Sequence, residues 1–186
     1  MQTFTKARAF ESDPDYEAKR ARSLDELNRA LESDSIDAPI ATFIEKCNQI
    51  PWCFTLQSCY GHFAVAKKPE SHSIKHLIDD VPLDSMVEYR IAYIAFCIQH
   101  NEDGRRLLDR LKAIPEIDRD YVQFGSSTWF WSRHINTYVL QVEPLRYAHE
   151  DSAQIELSEA VHIESVRDRF YSELCDALDL DCEIQS

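Results

Sequence analysis

The stretch from Trp52 to Ala66 constrains the fold of this chain more than any other, because two short runs of strand-forming residues flank a tight polar centre. The runs are rich in aromatic and β-branched side chains, which suit a pleated, half-buried surface. The polar centre consists of Ser58, Cys59, Tyr60, Gly61 and His62. Gly61 is one of only three glycines in the chain; it supplies the positive φ of a tight turn and lets a ligand approach the backbone. The sequence therefore predicts a β-hairpin with a hydroxyl, a thiol, a phenol and an imidazole at its tip.

The chain length and the helical patterns near the N-terminus define the domain organisation. With 186 residues, the chain is long enough for one well-buried core and too short for two ordinary domains. Apolar residues make up 44% of it, which predicts a globular chain rather than a disordered one. Helical patterns at Thr3–Phe10 and Tyr16–Leu31 indicate that residues 1–33 form a helical extension. Residues 34–186 then form a single α+β domain.

Helix and strand patterns alternate through this domain. Helical spacing occurs at residues 37–48, 101–114 and 158–178, and strand patterns occur at residues 87–98, 121–124, 128–131, 138–142 and 151–157. The second half of the 87–98 segment is apolar on both faces, as expected of a covered central strand. A helix, a strand, a turn with Gln, Ser and Gly, and a further strand occur twice, which indicates duplicated halves at 34–98 and 99–186. We therefore expect an α+β fold with a mixed or antiparallel sheet and helices packed on it.

The charge of the chain bears on its partners. The formal net charge is −13, whereas affinity for a phosphate backbone comes largely from Lys and Arg. The candidate basic cluster is Arg105, Arg106, Arg110 and Arg119, which we interpret as a solvated helix face. We therefore expect a small-molecule ligand rather than a nucleic acid. The long N-terminal helix is typical of a surface for a protein partner or a second copy of the chain.

The cysteines and the apolar runs indicate the cellular compartment of the protein and whether it has a metal site. No apolar run approaches the length of a membrane span, and the first residues lack the apolar core of a signal peptide, so we expect a cytoplasmic protein without membrane contact. Its six cysteines should then remain thiols, with Cys47, Cys97 and Cys175 as core fillers. The cysteine spacings do not match a structural zinc site. His72 and His76 lie four residues apart without an evident third ligand, so no metal site is predicted.

Cys59 and His62 are the candidate catalytic pair, because their separation of three residues across a turn lets a thiol and an imidazole meet. A thiol paired with histidine can act as a nucleophile, and the histidine can act as a general base near neutral pH. The alternative is a partly buried thiol beside a histidine bonded to a backbone carbonyl. Tyr60 could stack on a planar ligand or cover the hairpin.

A second concentration of polar chemistry follows Gly125. It consists of Ser126, Ser127, Trp129, Trp131, Arg133 and His134. If the two halves of the chain repeat, this turn lies opposite the first and shares a pocket with it. Ser126 and Ser127 could then donate to a carboxylate or a phosphate.

The segment from Asp37 to Phe63 resembles the wybutosine-synthesis methyltransferase family, which modifies phenylalanine tRNA in archaea and eukaryotes. That family has a helix that begins near an Asp and ends in Ile-Asn, followed by a strand and a Thr-x-Ser-Ser-Cys-Ser-Gly-Arg motif. The matching residues are Asp37, Asn48, Thr55, Ser58, Cys59 and Gly61. Gln57, Tyr60 and His62 replace two serines and the arginine of the motif.

The resemblance implies an α+β fold with a duplicated unit and an S-adenosylmethionine site near the Ser-Cys-x-Gly turn. The implied cofactor-binding residues are Ser58, Tyr60, Gly61, Ser126, Ser127, Arg133 and His134, with Arg133 in place of the missing motif arginine. The acidic surface argues against tRNA as the substrate. Two other classes stay open: a non-catalytic protein that binds a protein or a small ligand, and a thiol- or metal-dependent hydrolase that uses Cys59, His62 and His134.

Overall fold

Two antiparallel sheets with helices packed on them form an α+β fold, as predicted. The computed structural model describes residues 4–65, 69–75, 82, 85–147 and 150–182. The strands are β1 Phe4–Thr5, β2 Cys53–Cys59, β3 His62–Ala64, β4 Met86–Arg90, β5 Ala92–Ile98, β6 Val122–Ser127, β7 Thr137–Val142 and β8 Ser152–Glu156. The α-helices are α1 Tyr16–Glu32, α2 Ala41–Gln49, α3 Glu102–Ala113, α4 Thr128–Trp131 and α5 Leu157–Ala177.

The larger sheet has the strand order β1-β6-β7-β5-β2, and the smaller one has the order β3-β4-β8. Residues 34–98 supply β2 and β5 to the larger sheet, residues 99–186 supply β6 and β7, and β1 pairs with β6 at the edge opposite β2. β5 and β7 pair at the centre of the sheet. β5 is buried along its length except at Tyr93, which confirms the predicted central strand.

The chain crosses from one sheet to the other at two adjacent points. β2 pairs with β5 and β3 pairs with β4, so the predicted hairpin between β2 and β3 is wrong. The crossing falls at Tyr60 and Gly61, where a φ of 90° at Gly61 redirects the backbone. The segment predicted as one strand over 87–98 also breaks, at Ile91, where β4 of the smaller sheet gives way to β5 of the larger one.

The two faces of β5 contact different layers of the molecule. Ile94, Phe96 and Ile98 join a large core with apolar side chains of α2, α3 and α5. Ala95 and Cys97 face the opposite side and join smaller clusters with side chains of α1 and α4. This alternation is the period of two that a strand covered on both faces requires.

The N-terminal segment is part of the larger sheet. α1 matches the helix predicted from Tyr16 to Leu31, but the helix predicted over Thr3–Phe10 is wrong, because β1 pairs with β6 there. The Asn136 side chain then exchanges two hydrogen bonds with the Glu11 backbone, at 2.8 and 2.6 Å. Pairing with a distant strand thus outweighs the weak helical propensity of a short segment.

A short helix replaces the strand predicted over 128–131. α4 begins directly after β6, and the Ser132 N–H donates to the Thr128 carbonyl at 3.1 Å. Phe130 and Trp131 are buried by this turn, whereas Trp129 is 41% exposed. Trp129 and Trp131 therefore do not share one strand face, contrary to the expectation.

The cysteines divide into two groups. Cys47 and Cys97 are buried free thiols, as predicted. Cys175 is disulfide-bonded to Cys182, so its assignment as a free core thiol was wrong. Within the described ranges, no helix has both the length and the apolar character needed to cross a membrane.

Candidate functional site

The candidate site lies at the crossing between the two sheets and takes its carboxylate from a distant segment. Asp37 precedes a 3-10 turn at Ala38–Ile40, but its side chain makes no capping hydrogen bond there. Its Oδ2 instead accepts a hydrogen bond from the Tyr60 backbone N–H at 2.7 Å. Its Oδ1 lies 3.4 Å from His62 Nε2. Asp37 therefore holds the crossing turn in place, although it lies 23 residues before Tyr60 in the chain.

Asp37 and His62 hold each other in their charged forms. The Asp37 hydrogen bond, followed by one with Cys59, raises the pKa of His62 to about 10. Burial disfavours the charged form of Asp37, but hydrogen bonds from His62 and the Tyr60 N–H outweigh it and lower its pKa to about 2. His62 is therefore an imidazolium at neutral pH and has no lone pair with which to accept a proton. The predicted role of general base near neutral pH is wrong for this state of the site.

Cys59 completes a compact group with these two residues. Its Sγ accepts a hydrogen bond from the Gly61 N–H at 3.4 Å. Asp37, Cys59 and His62 each offer one potential ligand atom, and these three atoms lie within 4.8 Å of one another. The structure thus brings together the thiol and the imidazole that the sequence placed three residues apart, and adds a carboxylate to them.

His72 and Glu70 surround this group, and sequence reasoning missed both. A bridge between Phe63 and Ser71 brings the His72 segment beside β3. His72 Nδ1 lies 3.2 Å from the Gly61 carbonyl oxygen, and its Nε2 lies 3.9 Å from Asp37 Oδ1. Glu70 Oε2 lies 3.8 Å from His62 Nδ1. No spacing in the sequence signals this approach, so no metal site was predicted at His72.

The histidine found beside His72 is His62. His76 lies outside the described residues. The ring centroids of His62 and His72 are 4.4 Å apart, so the second histidine beside His72 is the one in the turn. The side chain of His72 is 34% exposed, which leaves it room to reorient.

Tyr60 and Gly61 build the turn rather than contact a ligand. The Tyr60 ring is fully buried, with the Arg167 guanidinium 4.0 Å from its centroid, and its hydroxyl donates to Asp168. Burial raises the pKa of this hydroxyl to about 12. Of the two alternatives for Tyr60, its full burial is inconsistent with stacking on a ligand. A Cβ on Gly61 would lie 3.1 Å from the Ala92 Cβ, so a neighbouring strand, not a ligand, occupies the space beside this glycine.

The polar segment at residues 125–134 does not share a pocket with the turn at residues 58–62. The strand register places Cys59 level with Tyr93, Gln141 and Gln123 across the larger sheet. Three strand spacings of about 4.8 Å separate β2 from β6, and Ser126 lies three residues farther along, roughly another 10 Å. The predicted shared pocket is therefore wrong, because the two bends lie toward opposite ends and opposite sides of the sheet.

The polar side chains of the second region contact other parts of the chain. Ser126 Oγ accepts a hydrogen bond from the Arg8 N–H at 3.2 Å, and Ser127 is buried beside it. The Arg133 guanidinium lies 3.7 Å from the Trp129 ring centroid, so it does not replace the missing motif arginine at the first turn. His134 packs edge-on against the Phe54 ring, on the face of the sheet that α1 covers.

Two further residues of the motif contact each other. Asn48, near the end of α2, donates from Nδ2 to Thr55 Oγ1 at 2.8 Å. The Thr55 backbone N–H donates in return to Asn48 Oδ1 at 3.0 Å. This reciprocal pair fixes α2 against β2 and so sets the position of the turn that follows β2.

A groove runs along the free edge of β2 toward the site. Its volume is about 230 Å³. Its lining includes Ser23, Glu26, Leu27, Ile36, Gln57 and Ser58. The groove therefore reaches the residue immediately before Cys59, with α1 forming one wall.

The candidate basic cluster is neutralised locally. Arg106 pairs with Asp103, Arg110 with Asp179, and Arg119 with Glu116. Arg105 lies over the Phe10 ring at 5.3 Å. These contacts agree with the interpretation of the cluster as a solvated face.

No family model matches the sequence, and no curated protein matches it either. Two solved structures of the PH1069 protein are similar in fold. The one from Pyrococcus horikoshii matches with a TM-score of 0.53 over 89% of this chain and 92% of that chain. The one from Pyrococcus horikoshii OT3 matches with a TM-score of 0.51 over 90% and 93%. The sequence identity is 14% in both cases, so the likeness extends to the fold alone.

Proposed function

We propose that this protein is an S-adenosylmethionine-dependent methyltransferase whose acceptor is a small molecule. The observation that carries the proposal is the contact between Asp37 and the Ser58–Gly61 turn, at 2.7 Å from the Tyr60 N–H to Asp37 Oδ2. Both parts belong to the motif by which the sequence resembles the wybutosine-synthesis methyltransferases. They lie about twenty residues apart in the chain, so their contact is a property of the fold and not of local sequence.

The other motif residues support the same reading. Asn48 and Thr55 bond to each other and fix the strand that leads into the turn. Asn48 and Thr55 therefore position the turn, and Asp37 contacts it directly. Cys59 and Gly61 lie within the turn. Among the six matched residues, Asn48 bonds to Thr55 and the Gly61 N–H donates to Cys59 Sγ, whereas Asp37 bonds to the backbone of Tyr60, which departs from the motif.

The residues along the β2 edge fit the adenosyl part of the cofactor in chemical character. Leu27 and Ile36 offer apolar walls to a base, Glu26 offers a carboxylate to a ribose diol, and Ser58 offers a hydroxyl. The groove is smaller than the 300 Å³ or so of a typical complete ligand site, so it suits part of the cofactor. S-Adenosylmethionine would supply an electrophilic methyl group there.

Cys59 directly follows Ser58 of the groove, and Cys59 and His62 would hold the methyl acceptor. The His62 imidazolium can donate a hydrogen bond to an acceptor group that carries negative charge. Asp37 maintains that charge and keeps the imidazole oriented. This role replaces the general-base role expected from the sequence.

The electrostatics disfavour tRNA as the acceptor. The net charge is −13, and within the candidate basic cluster Arg106, Arg110 and Arg119 pair with acidic side chains, which weakens their attraction for phosphates. A small acceptor needs no such surface.

Calorimetric titration with S-adenosylmethionine and with S-adenosylhomocysteine tests the proposal. We expect saturable heat with wild-type protein and an affinity about five-fold lower in Ser58→Ala, because one hydrogen bond to the ligand is lost. Ser126→Ala is the matched control and should bind as the wild type does. An absence of heat at millimolar ligand, or an equal loss in both serine variants, would contradict the proposal.

A further inference from the structure

We propose that Asp37, Cys59 and His62, with His72 as the fourth ligand, bind a divalent transition-metal ion of the zinc type. The site goes beyond the methyltransferase proposal and does not depend on it. Binding would displace the proton from His62 Nε2, so the ion-bound site and the imidazolium described above are alternative states of the same residues. Among the residues that the structure describes, Asp37, Cys59 and His62 form the one set of three potential ligands whose donor atoms converge this closely.

The spacing of the donor atoms suits one ion. In a tetrahedral zinc site with ligand bonds of about 2.0 to 2.1 Å, nitrogen and oxygen ligands lie roughly 3.3 Å apart. Asp37 Oδ1 and His62 Nε2 are 3.4 Å apart, and His72 Nε2 is 3.9 Å from the same oxygen. His72 is not among the three residues whose donor atoms lie within 4.8 Å of one another, so its partly exposed ring would have to turn to reach the ion.

The outer contacts are those that orient metal ligands. A ligating histidine usually donates its other ring N–H to a carbonyl or a carboxylate. His72 Nδ1 faces the Gly61 carbonyl oxygen at 3.2 Å, which leaves Nε2 turned toward the cluster. His62 Nδ1 has the Glu70 carboxylate at 3.8 Å.

The two remaining donors are oriented in the same way. Asp37 uses Oδ2 to accept from the Tyr60 N–H, so Oδ1 is the oxygen presented to the cluster. The Gly61 N–H donates to Cys59 Sγ, a contact that also suits a metal-bound thiolate. One glycine therefore orients both the sulfur, through its N–H, and the His72 ring, through its carbonyl.

The donor set selects the kind of ion. Imidazole and thiolate ligands favour zinc, cobalt or copper, whereas magnesium and calcium favour oxygen ligands. One carboxylate, one thiolate and two imidazoles give a neutral site around a divalent ion. This is a mixed set without Cys-x-x-Cys spacing, which is why the sequence gave no sign of it.

The test is a cobalt titration of the full chain, free of any affinity tag and dialysed against a chelator. We expect one equivalent of Co²⁺ per chain, with the visible absorption of a tetrahedral site and a thiolate-to-cobalt charge-transfer band in the near ultraviolet. Zn²⁺ should displace the cobalt and abolish both signals. Wild-type protein that shows no such spectrum at micromolar cobalt overturns the proposal, and this result needs no variant.

Two variants identify the ligands, and a third serves as the control. Cys59→Ser should abolish the charge-transfer band, and His72→Gln should keep the band but weaken binding about ten-fold or more. His162→Gln is the matched control, because His162 is an exposed histidine 3.1 Å from Asp118, without a thiol. Persistence of the band in Cys59→Ser, or an equal loss in His162→Gln, overturns the assignment. The titration contains no S-adenosylmethionine, so its failure is distinguishable from failure of the methyltransferase proposal.

Discussion

The turn at residues 58–62 and the segment at residues 125–134 contain similar side chains but provide different environments. Each has a serine near a sheet end and a half-buried histidine. The pKa of His62 is raised to about 10, chiefly by its hydrogen bond to Asp37. The pKa of His134 is lowered, chiefly by burial, and its Nδ1 finds no hydrogen-bond partner among the described residues.

The difference shows that a carboxylate from a distant part of the chain determines the charge of the histidine in such a turn. Asp37 reaches the first turn because the loop before α2 passes the crossing between the sheets. At His134 the carboxylates of Asp13 and Glu26 raise the pKa less than burial, Lys19 and Arg22 lower it. In the same region Arg133 stacks on Trp129, and Ser126 binds the N-terminal segment. Similar local composition therefore yields a charged cluster in one place and structural packing in the other.

The largest expected effect comes from Gly61→Ala. The substitution places a Cβ 3.1 Å from the Ala92 Cβ and 3.2 Å from the Tyr89 ring, at a φ of 90°. Strain and overlap together should lower the free energy of unfolding by about 3 kcal/mol, measured by urea denaturation. The same variant should weaken the contact of Asp37 with the turn. A loss below about 0.5 kcal/mol would mean that the crossing is not held as described.

A smaller effect should appear as opposite pH dependences of the two histidines. The folded pKa of His62 lies above its ordinary value of 6.5, so its stabilising contribution is complete below pH 6.5 and is lost as the pH rises through 10. The folded pKa of His134 lies below 6.5, so its contribution is present above that value and is lost as the pH falls.

Paired denaturation curves in the presence of a chelator measure this contrast. The stability advantage of wild type over His62→Gln should shrink by about 2 kcal/mol between pH 6 and pH 10, after allowance for solvent screening. The advantage over His134→Gln should instead shrink on acidification from pH 7 to pH 5. If the stability differences of the two variants from wild type changed with pH in the same direction, the two histidines would not differ in environment as described.

The smallest effect should come from Arg133→Ala in the second region. Arg133 contributes an exposed stacking contact with Trp129, which is worth about 0.5 kcal/mol. Ligand and metal binding at the first turn should not change. A change in either affinity in this variant would show that the two regions are coupled after all.

Much of the secondary structure could be predicted from the sequence, because it follows from local patterns. α1, α3 and α5 have regular apolar spacing, and Asn101 caps α3 by accepting from the Gly104 N–H at 2.7 Å. β5 is apolar on both faces and lies at the centre of the sheet. Helix 128–131 could not be predicted, because its aromatic composition equally suits a strand and only packing against β6 and β7 decides between them.

The candidate site could be predicted only in part. The polar composition of the turn identified Cys59 and His62, and the family resemblance identified Asp37. The participation of His72 depends on a bridge between Phe63 and Ser71, for which no local pattern exists. The crossing between two sheets was mistaken for a hairpin, because β2 and β3 each carry a strand pattern whichever strand they pair with.

The central claim is that Asp37 and His62 form one charged pair at the crossing between the sheets. The most direct test is an NMR pH titration of the histidine rings in chelator-treated wild type and Asp37→Asn. We expect His62 to titrate near pH 10 in the wild type and several pH units lower in the variant, with His134 unchanged below pH 6.5. A His62 that titrates near pH 6.5 in both proteins would contradict the account.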